Sequence, residues 1–383
     1  MQIFSVDSNI PFLVDILNDT TVSKNQRTVG SFHNGEITNK QLIESKTKFL
    51  IVRSTVKVNR ELLEGTDVEF VATATTGSEH IDIEYLKQKG IKFFAASGAN
   101  SNSVAEYVIF SILLWANKFQ FSDLQNKKVG IIGFGNIGSK VAKYLDFMNI
   151  KYLVCDPFVE TCRDILHMPC KNWKIQNGHM QYTPTVFCDV DTVIENCDII
   201  TTHIPLTFDG EHPTNNLLNE NRINKIKNNS LLISAARGKV CDENAMLNRK
   251  NELQYVIDVW ENEPIVTNRE LIDIALLATP HIAGHSFQGK LNATVMIANF
   301  LNEQYKTDLD LSEISEKILL NNPFEKSEMN NYYALFDALN KSRELLQTSS
   351  EMKQKIKLNS DNFKKYFNDT RLNYPQYFEI LQP

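Results

Sequence analysis

The sequence predicts an α/β protein with two doubly wound parallel-sheet domains, the second inserted into the first, and a C-terminal α+β appendage. Short apolar strands alternate with helical patterns over the first hundred residues and again over roughly residues 127–280. This alternation is typical of right-handed βαβ units, whose strands are parallel. After Gly289 glycine disappears and Lys, Asn and Glu dominate, which sets the end of the chain apart.

Composition excludes several classes of protein. The chain has 383 residues, of which 42% are hydrophobic and 22% charged, as in an ordinary globular protein rather than a disordered or collagen-like one. Its net charge of −6 gives no general attraction to nucleic acid or to anionic membranes, so an anionic substrate needs a local cluster of Arg and Lys. The longest apolar run, 107–116, is too short to cross a bilayer, and Lys24 is the first lysine, so no leader is expected.

The six cysteines include no C-x-x-C pair. Their spacing argues against a zinc site and against a disulfide framework, and we expect no metal. Reduced thiols favour a cytoplasmic location.

In the first part of the chain, three strands are predicted over Phe49–Val52, Val68–Val71 and Ile91–Phe94, the last after a helix that ends at Gly90. A long helix is predicted from about Ser103, because apolar residues recur at helical spacing from Val104 to Phe119. Ser103 and Glu106 fit a capping box at its start.

Six strands are predicted in the second run: Val129–Ile132, Tyr152–Cys155, Ile199–His203, Leu231–Ser234, Tyr255–Asp258 and Leu277–Thr279. The stretch Cys162–Asp189 shows no clean period and is interpreted as an extended connection. Near the C-terminus, Ile356, Phe363 and Phe367 would share one helical face.

A glycine-rich turn carries the strongest local signal. Gly133, Gly135 and Gly138 follow an apolar strand and precede an amphipathic helix, the pattern that lets a pyrophosphate approach a helix N-terminus. Asp156 ends the next strand, 18 residues after Gly138, where a carboxylate accepts hydrogen bonds from an adenosine ribose. The motif predicts a Rossmann domain that binds NAD rather than NADP. A glycine turn without ligand, or a methyltransferase, is the alternative.

Three later strand ends carry chemically capable residues: Arg237, the Asp258-to-Glu263 segment and His281. An Arg matches a carboxylate, a His can take a hydroxyl proton, and a carboxylate can orient that His. Each alone also fits a structural or surface role. Together, downstream of a dinucleotide motif, they predict hydride transfer.

These segments resemble the D-isomer-specific 2-hydroxyacid dehydrogenases, in which A-R-G, E-P and P-H-x-x-G are catalytic signatures, here at 236–238, 263–264 and 280–284. Residues 52–59 and 73–77, with D-V-W-E at 258–261, resemble one subfamily, which oxidises a phosphorylated 2-hydroxy acid. The likeness runs from residue 1 to about 300 and beyond that covers only 367–378.

The resemblance implies a role for each matching residue. Arg237 would bind the substrate carboxylate and the reacting oxygen, His281 would be the acid and base, and Glu263 would support it. Ser54 and Thr75 would contact the substrate. The implied NAD contacts, besides the three glycines and Asp156, are Asn136, Ile137, Ile204, Pro205, Ala235, Ala236, Asp258 and Gly284.

Two positions depart from the family pattern. Ile204 replaces a usual Thr that contacts NAD, and His285 replaces a usual Tyr that contacts substrate. An imidazole at His285 can still donate to a phosphate. Arg53 and Lys57 flank Ser54 and are candidates for the substrate phosphate, with Arg371 a weaker one. Solvated surface charge is their alternative interpretation.

The implied reaction is NAD-dependent oxidation of 4-phospho-D-erythronate in vitamin B6 biosynthesis. The alternatives are a dehydrogenase acting on phosphoglycerate, lactate or glyoxylate, and a non-catalytic NAD(H)-sensing protein. The motifs predict a substrate domain over 1–99 and 284–304 and an NAD domain over 100–283. By resemblance, 305–383 is a dimerisation domain of a homodimer.

Overall fold

The structure is a computed structural model, and it describes residues 2–19, 27–33, 35–161, 186–319, 323–375 and 377–381. The chain divides into two compact units, one of Met1–Asn100 with His285–Asn321 and one of Ser101–Gly284 with Asn322–Pro383. Most of the predicted 162–189 connection lies outside the described residues.

The first unit contains a five-stranded sheet in which every pairing is parallel, ordered β2-β1-β3-β4-β5. Its strands are β1 (Gln2–Asp7), β2 (Arg27–Phe32), β3 (Phe49–Val52), β4 (Phe70–Thr73) and β5 (Lys92–Ala95). The helices are α1 (Leu13–Asn18), α2 (Asn39–Ser45), α3 (Arg60–Leu63), α4 (Ile83–Lys89), α12 (Phe287–Tyr305) and α13 (Ser312–Ile318). The order reverses between β1 and β3, so strand ends there border a crevice.

The three strands predicted in this unit exist, although β4 begins two residues later than expected and β5 one residue later. All four residues of β3 are buried, as expected for a strand covered on both faces. The sequence analysis missed β1 and β2. Only one of the six residues of β2 is buried, so the strand lacks a strong apolar signal.

The second unit contains a seven-stranded sheet, also parallel in every pairing, ordered β12-β11-β10-β9-β6-β7-β8. Its strands are β6 (Lys128–Ile132), β7 (Lys151–Cys155), β8 (Val186–Phe187), β9 (Ile199–Thr202), β10 (Leu231–Ser234), β11 (Gln254–Ile257) and β12 (Leu277–Ala278). The six predicted strands are present and β8 is additional. The chain reverses its winding between β6 and β9, the usual place for a dinucleotide.

In the described residues, ten helices belong to this second unit. They are α5 (Ser101–Asn117), α6 (Gly138–Phe147), α7 (Pro157–Thr161), α8 (Val190–Asn196), α9 (Glu220–Lys225), α10 (Glu243–Asn248), α11 (Arg269–Ile274), α14 (Tyr332–Arg343), α15 (Leu345–Gln354) and α16 (Ser360–Leu372).

Helix α5 begins at Ser101, and the predicted capping box is wrong. Ser103 lies inside the helix, and its hydroxyl donates to the backbone oxygen of Ala283. Glu106 is fully buried and accepts the amides of Ile380 and Leu381 instead of capping. Because residues 101–116 are all buried, the apolar periodicity seen in the sequence understated how completely the helix is enclosed.

The described C-terminal residues form helices and coil rather than the predicted α+β appendage, and they form no compact unit of their own. Residues from 322 onward belong to the second unit, where Phe363 and Phe367 of α16 enter the same hydrophobic core as Trp260. The two Phe residues share a helix face as predicted, whereas Ile356 precedes that helix. Among the described residues, no helix combines the length and apolar character needed to cross a bilayer.

Candidate active site

A histidine and a carboxylate form the centre of the candidate site in the second unit. The Nδ1 atom of His281 lies 2.7 Å from Oε2 of Glu263, and the other carboxylate oxygen accepts the Trp260 amide at 3.0 Å. Burial opposes ionisation of Glu263, but His281, the Trp260 amide and Arg371 together outweigh it and lower the pKa of the carboxyl. An ionised Glu263 holds the proton on Nδ1, so Nε2 is left to exchange a proton with substrate.

The loop that carries His281 is fastened by Asp258, at the end of β11. The Asp258 carboxylate accepts the amides of Ile282 and Ala283 and the Thr279 hydroxyl, and its backbone oxygen accepts the His281 amide. Asp258 is 1% exposed, and burial raises the pKa of its carboxyl. The structure thus gives Asp258 a positioning role that the sequence did not indicate, while its contact with the cofactor remains a prediction.

Arg237 lies three residues beyond the end of β10 and is half-buried, with Nη1 donating to the backbone oxygen of Ala236 at 2.8 Å. The next residue must be glycine, because a Cβ on Gly238 would lie 2.0 Å from the backbone oxygen of Trp260. This close approach joins the Arg237 turn to the segment that bears Glu263. Arg237, Glu263 and His281 therefore all follow strands of one sheet, as predicted.

The glycine-rich turn has the geometry of a phosphate cradle. Gly133 has φ 97°, and a Cβ there would meet the His203 backbone oxygen at 2.5 Å, whereas a Cβ on Gly135 would meet nothing within 4 Å. A Cβ on Gly138 would lie 2.0 Å from the Gly133 oxygen. The fold itself thus requires the first and third glycines, and the space beside Gly135 fits an approaching pyrophosphate.

The start of α6 and the carboxylate of Asp156 border the same turn. No side chain in the described part of the chain caps the helix, whose Ser139 and Lys140 amides donate to the backbone oxygens of Gly135 and Ile137. The positive end of the helix dipole lies at this turn, where it favours an anion. Asp156 accepts the Phe134 amide at 2.7 Å, which ties the end of β7 to the glycine turn. Among the described residues, no group of three His, Cys, Asp or Glu side chains could hold a metal ion.

The remaining predicted cofactor residues lie at strand ends or in the loops that follow them. Ala235 and Ala236 are buried after β10, and Ile204 with Pro205 follows β9. The side chain of Ile204 crowds Gly133, with its Cγ2 2.7 Å from a Cβ built there. Ile204 therefore supplies an apolar wall where the family pattern has a hydroxyl. Asn136, Ile137 and Gly284 remain predictions at the glycine turn and the His281 loop.

The predicted substrate residues belong to the first unit and follow its strands. Arg53 and Ser54 come directly after β3. Thr75 follows β4 and shares a hydrogen-bond chain with Thr73 and His80, at 2.7 and 3.0 Å. Ser54 is exposed, as is Lys57 further along the same loop. These positions are compatible with the predicted roles and do not test them.

Sequence reasoning missed Lys290, which lies in the first turns of α12, five residues after the predicted substrate contact His285. Desolvation and then the charge of Arg53 lower the pKa of the Lys290 ammonium. Two cations that repel each other are suited to share an anion. Because α12 is separated from β3 by more than two hundred residues, the sequence gives no local signal for this pairing.

The fold and the glycine-rich turn are those of a dinucleotide-binding α/β protein, and comparison with known proteins identifies the family. The profile "D-isomer specific 2-hydroxyacid dehydrogenase, NAD binding domain" matches residues 113–283. Erythronate-4-phosphate dehydrogenase of Ruthia magnifica subsp. Calyptogena magnifica is 37% identical over 335 residues, 86% of this chain and 85% of that protein. The chain belongs to the D-isomer-specific 2-hydroxyacid dehydrogenase family.

Two further comparisons define the extent of the likeness. Erythronate-4-phosphate dehydrogenase of Wigglesworthia glossinidia brevipalpis is 39% identical over 66% of this chain, and the chain spans only 62% of that relative's length. The structure of NAD⁺-bound 3-phosphoglycerate dehydrogenase of Entamoeba histolytica matches with a TM-score of 0.58 and 22% identity, over 81% of this chain and 98% of that one. This second likeness establishes the fold.

Proposed function

We propose that this protein oxidises 4-phospho-D-erythronate to 2-oxo-3-hydroxy-4-phosphobutanoate with NAD, as part of vitamin B6 biosynthesis. The observation that carries the proposal is the 2.7 Å His281–Glu263 contact on the same sheet edge as Arg237 and the glycine turn. Curated relatives named erythronate-4-phosphate dehydrogenase support the choice of substrate.

Each residue has a defined task in this reaction. NAD, when bound at the glycine turn, accepts the hydride that leaves carbon-2 of the substrate. His281 takes the hydroxyl proton at Nε2, and Glu263 balances the positive charge that develops on the ring. Arg237 donates to the substrate carboxylate and to the oxygen on which negative charge grows, the larger contribution in reactions of this type.

The phosphate group of the substrate requires cations to bind it. Arg53 and Lys57 are the proposed ligands, and Lys290 joins them because its charge interacts with that of Arg53. Methionine at Arg53 or Lys57 is expected to raise KM for the phosphorylated substrate about tenfold or more, the loss of one charge-assisted hydrogen bond. An equal effect on an unphosphorylated analogue would show that these residues do not bind phosphate.

The proposal extends to assembly and location. We infer a homodimer, supported by large apolar side chains exposed in the C-terminal part, Tyr333, Leu372 and Phe378. Sedimentation velocity gives the mass directly, and a monomer at micromolar concentration would contradict the dimer. A cytoplasmic location is supported by the free cysteines at 155, 188, 197 and 241.

The decisive test is a substrate panel on the purified protein. It would contain 4-phospho-D-erythronate, 3-phosphoglycerate and D-lactate, each with NAD and a 2-oxo acid that can reoxidise bound NADH, and products would be detected by mass. Oxidation of phosphoerythronate alone is expected. Oxidation of another substrate of the panel would agree with the family but contradict the proposed role in vitamin B6 biosynthesis. NADH binding without turnover would favour the alternative of an NAD(H)-sensing protein.

A further inference from the structure

A third charged side chain approaches the His281–Glu263 pair. Nη1 of Arg371, in the last turn of α16, lies 4.0 Å from Oε2 of Glu263, the oxygen that also contacts His281. The Arg371 side chain is 32% exposed and that of Glu263 18% exposed, so solvent screens their interaction only in part. Among the described residues, the buried Nε of Arg371 has no hydrogen-bond partner, and the guanidinium approaches Glu263 through Nη1.

Acidic groups also act on this pair in the part of the chain that the structure describes. Asp258, directly after β11, interacts electrostatically with His281. Glu243, the first residue of α10, faces Glu263, and Glu261 lies beside Glu243. Arg371 therefore supplies positive charge from a different element, at the carboxylate on which the histidine depends.

We propose that Arg371 is a positioning residue that sets the charge balance of the His281–Glu263 pair, so that the pair gives up its proton at lower pH. A carboxylate beside an imidazole stabilises the protonated ring. A cation at the same carboxylate oxygen offsets that stabilisation. Oxidation of a hydroxy acid needs a base, and an imidazole without a proton on Nε2 is that base.

The catalytic consequence of this inference rests on the proposed function, but the charge balance does not. Glu263 keeps its place without Arg371, because the Trp260 amide and His281 hold both of its oxygens. Removal of the guanidinium should therefore change the charge of the pair rather than its geometry. This separates the electrostatic role from a purely structural one.

The test compares Arg371→Met, Arg371→Lys and Lys365→Met with the wild-type protein. Lys365 is an exposed cation on the same helix, so its replacement removes the same charge away from the pair. Two quantities are measured against pH: the NMR titration of the His281 ring, assigned with His281→Ala, and kcat/KM for phosphoerythronate. In Arg371→Met both midpoints should move upward by roughly 0.5–1 pH unit, the size expected for a partly screened charge at this range. Arg371→Lys should restore most of the difference, and Lys365→Met should match wild type.

The outcomes are distinguishable. An unchanged ring titration in Arg371→Met overturns the inference, whatever the activity. An equal shift of the ring titration in Lys365→Met would also overturn the inference, since the effect would then come from the net charge of the protein. A raised KM with an unmoved titration would make Arg371 a substrate ligand. If the wild-type protein does not oxidise phosphoerythronate, the proposed function fails while the ring titration still decides the role of Arg371.

Discussion

At the scale of single residues, the backbone of His281 adopts a conformation that costs free energy. Its backbone has φ 56°, which costs of order 1 kcal/mol or more for a residue with a Cβ. The cost is offset by the hydrogen bonds of Asp258 to the loop amides and by the contact with Glu263. The ring is therefore held in place by the surrounding structure, as its proposed acid–base role requires.

Substitutions at His281 and Arg237 should lower turnover sharply without changing the binding of the cofactor. We expect His281→Ala to lower kcat by about 10²–10⁴-fold through loss of the base, and Arg237→Ala to lower it by about 10²-fold or more. NADH binding, followed by fluorescence, should stay normal in both variants. Lys239→Ala, which removes an exposed cation two residues from Arg237, is the control. Near-normal turnover in either active-site variant would contradict the assigned roles.

Two glycines of the turn are needed for different reasons: Gly133 for the fold and Gly135 for the approach of the ligand. Gly135→Ala adds a methyl group to open space, so the free energy of unfolding should change by less than about 1 kcal/mol, the helix-propensity scale of such a change. The dissociation constant for NADH should rise about tenfold or more, since the methyl group occupies the pyrophosphate approach. Gly133→Ala should instead destabilise the protein, because of its φ of 97° and the 2.5 Å approach to His203. Unchanged NADH affinity in Gly135→Ala would place the cofactor elsewhere.

At the scale of elements, helix α14 stabilises the loop that follows His281 through Arg343. This residue is 2% exposed, donates to the backbone oxygens of Ser103 and Ala283, and lies 4.2 Å from the Tyr377 ring centroid. Burial and then Glu379 raise the pKa of Glu106 to about 8, while Arg343 opposes the rise. The C-terminal helices are thereby tied to both α5 and the loop that follows His281.

Arg343→Met should be strongly destabilising, because it leaves buried acidic groups without their cation. The expected loss is about 3–5 kcal/mol in the free energy of unfolding, measured with urea. Lys341→Met, on the same helix in an exposed pair with Asp337, should have no measurable effect. A loss no larger than that of the control would show that Arg343 does not support the loop.

At the scale of the whole molecule, stability should depend on pH through His203. Burial lowers the pKa of this histidine to about 3, and its Nδ1 has no partner among the described residues. The folded state keeps the ring neutral while the unfolded chain takes a proton below its ordinary pKa near 6.5. Its contribution to stability is therefore complete above pH 6.5 and is lost as the pH falls.

The size of this effect can be measured with His203→Gln. The wild-type protein should lose about 2–3 kcal/mol more than the variant between pH 6.5 and 4.5, from about 1.4 kcal/mol per pH unit. Above pH 7 the difference in the free energy of unfolding between the two proteins should be constant. A constant difference down to pH 4.5 would show that His203 is accessible to protons in the folded state.

The sequence by itself determined the parallel-sheet class, most strand positions and the chemically capable residues, because each depends on local pattern. Gly133, Asp156, Arg237 and His281 follow strands whose apolar runs are visible directly. Only the tertiary structure decided that Ser103 and Glu106 are interior groups rather than caps, and that α16 belongs to the second unit. It also decided the contact of Arg371 with Glu263. These features join residues that are far apart in the chain, and local propensity carries no information about which distant surfaces will pack together.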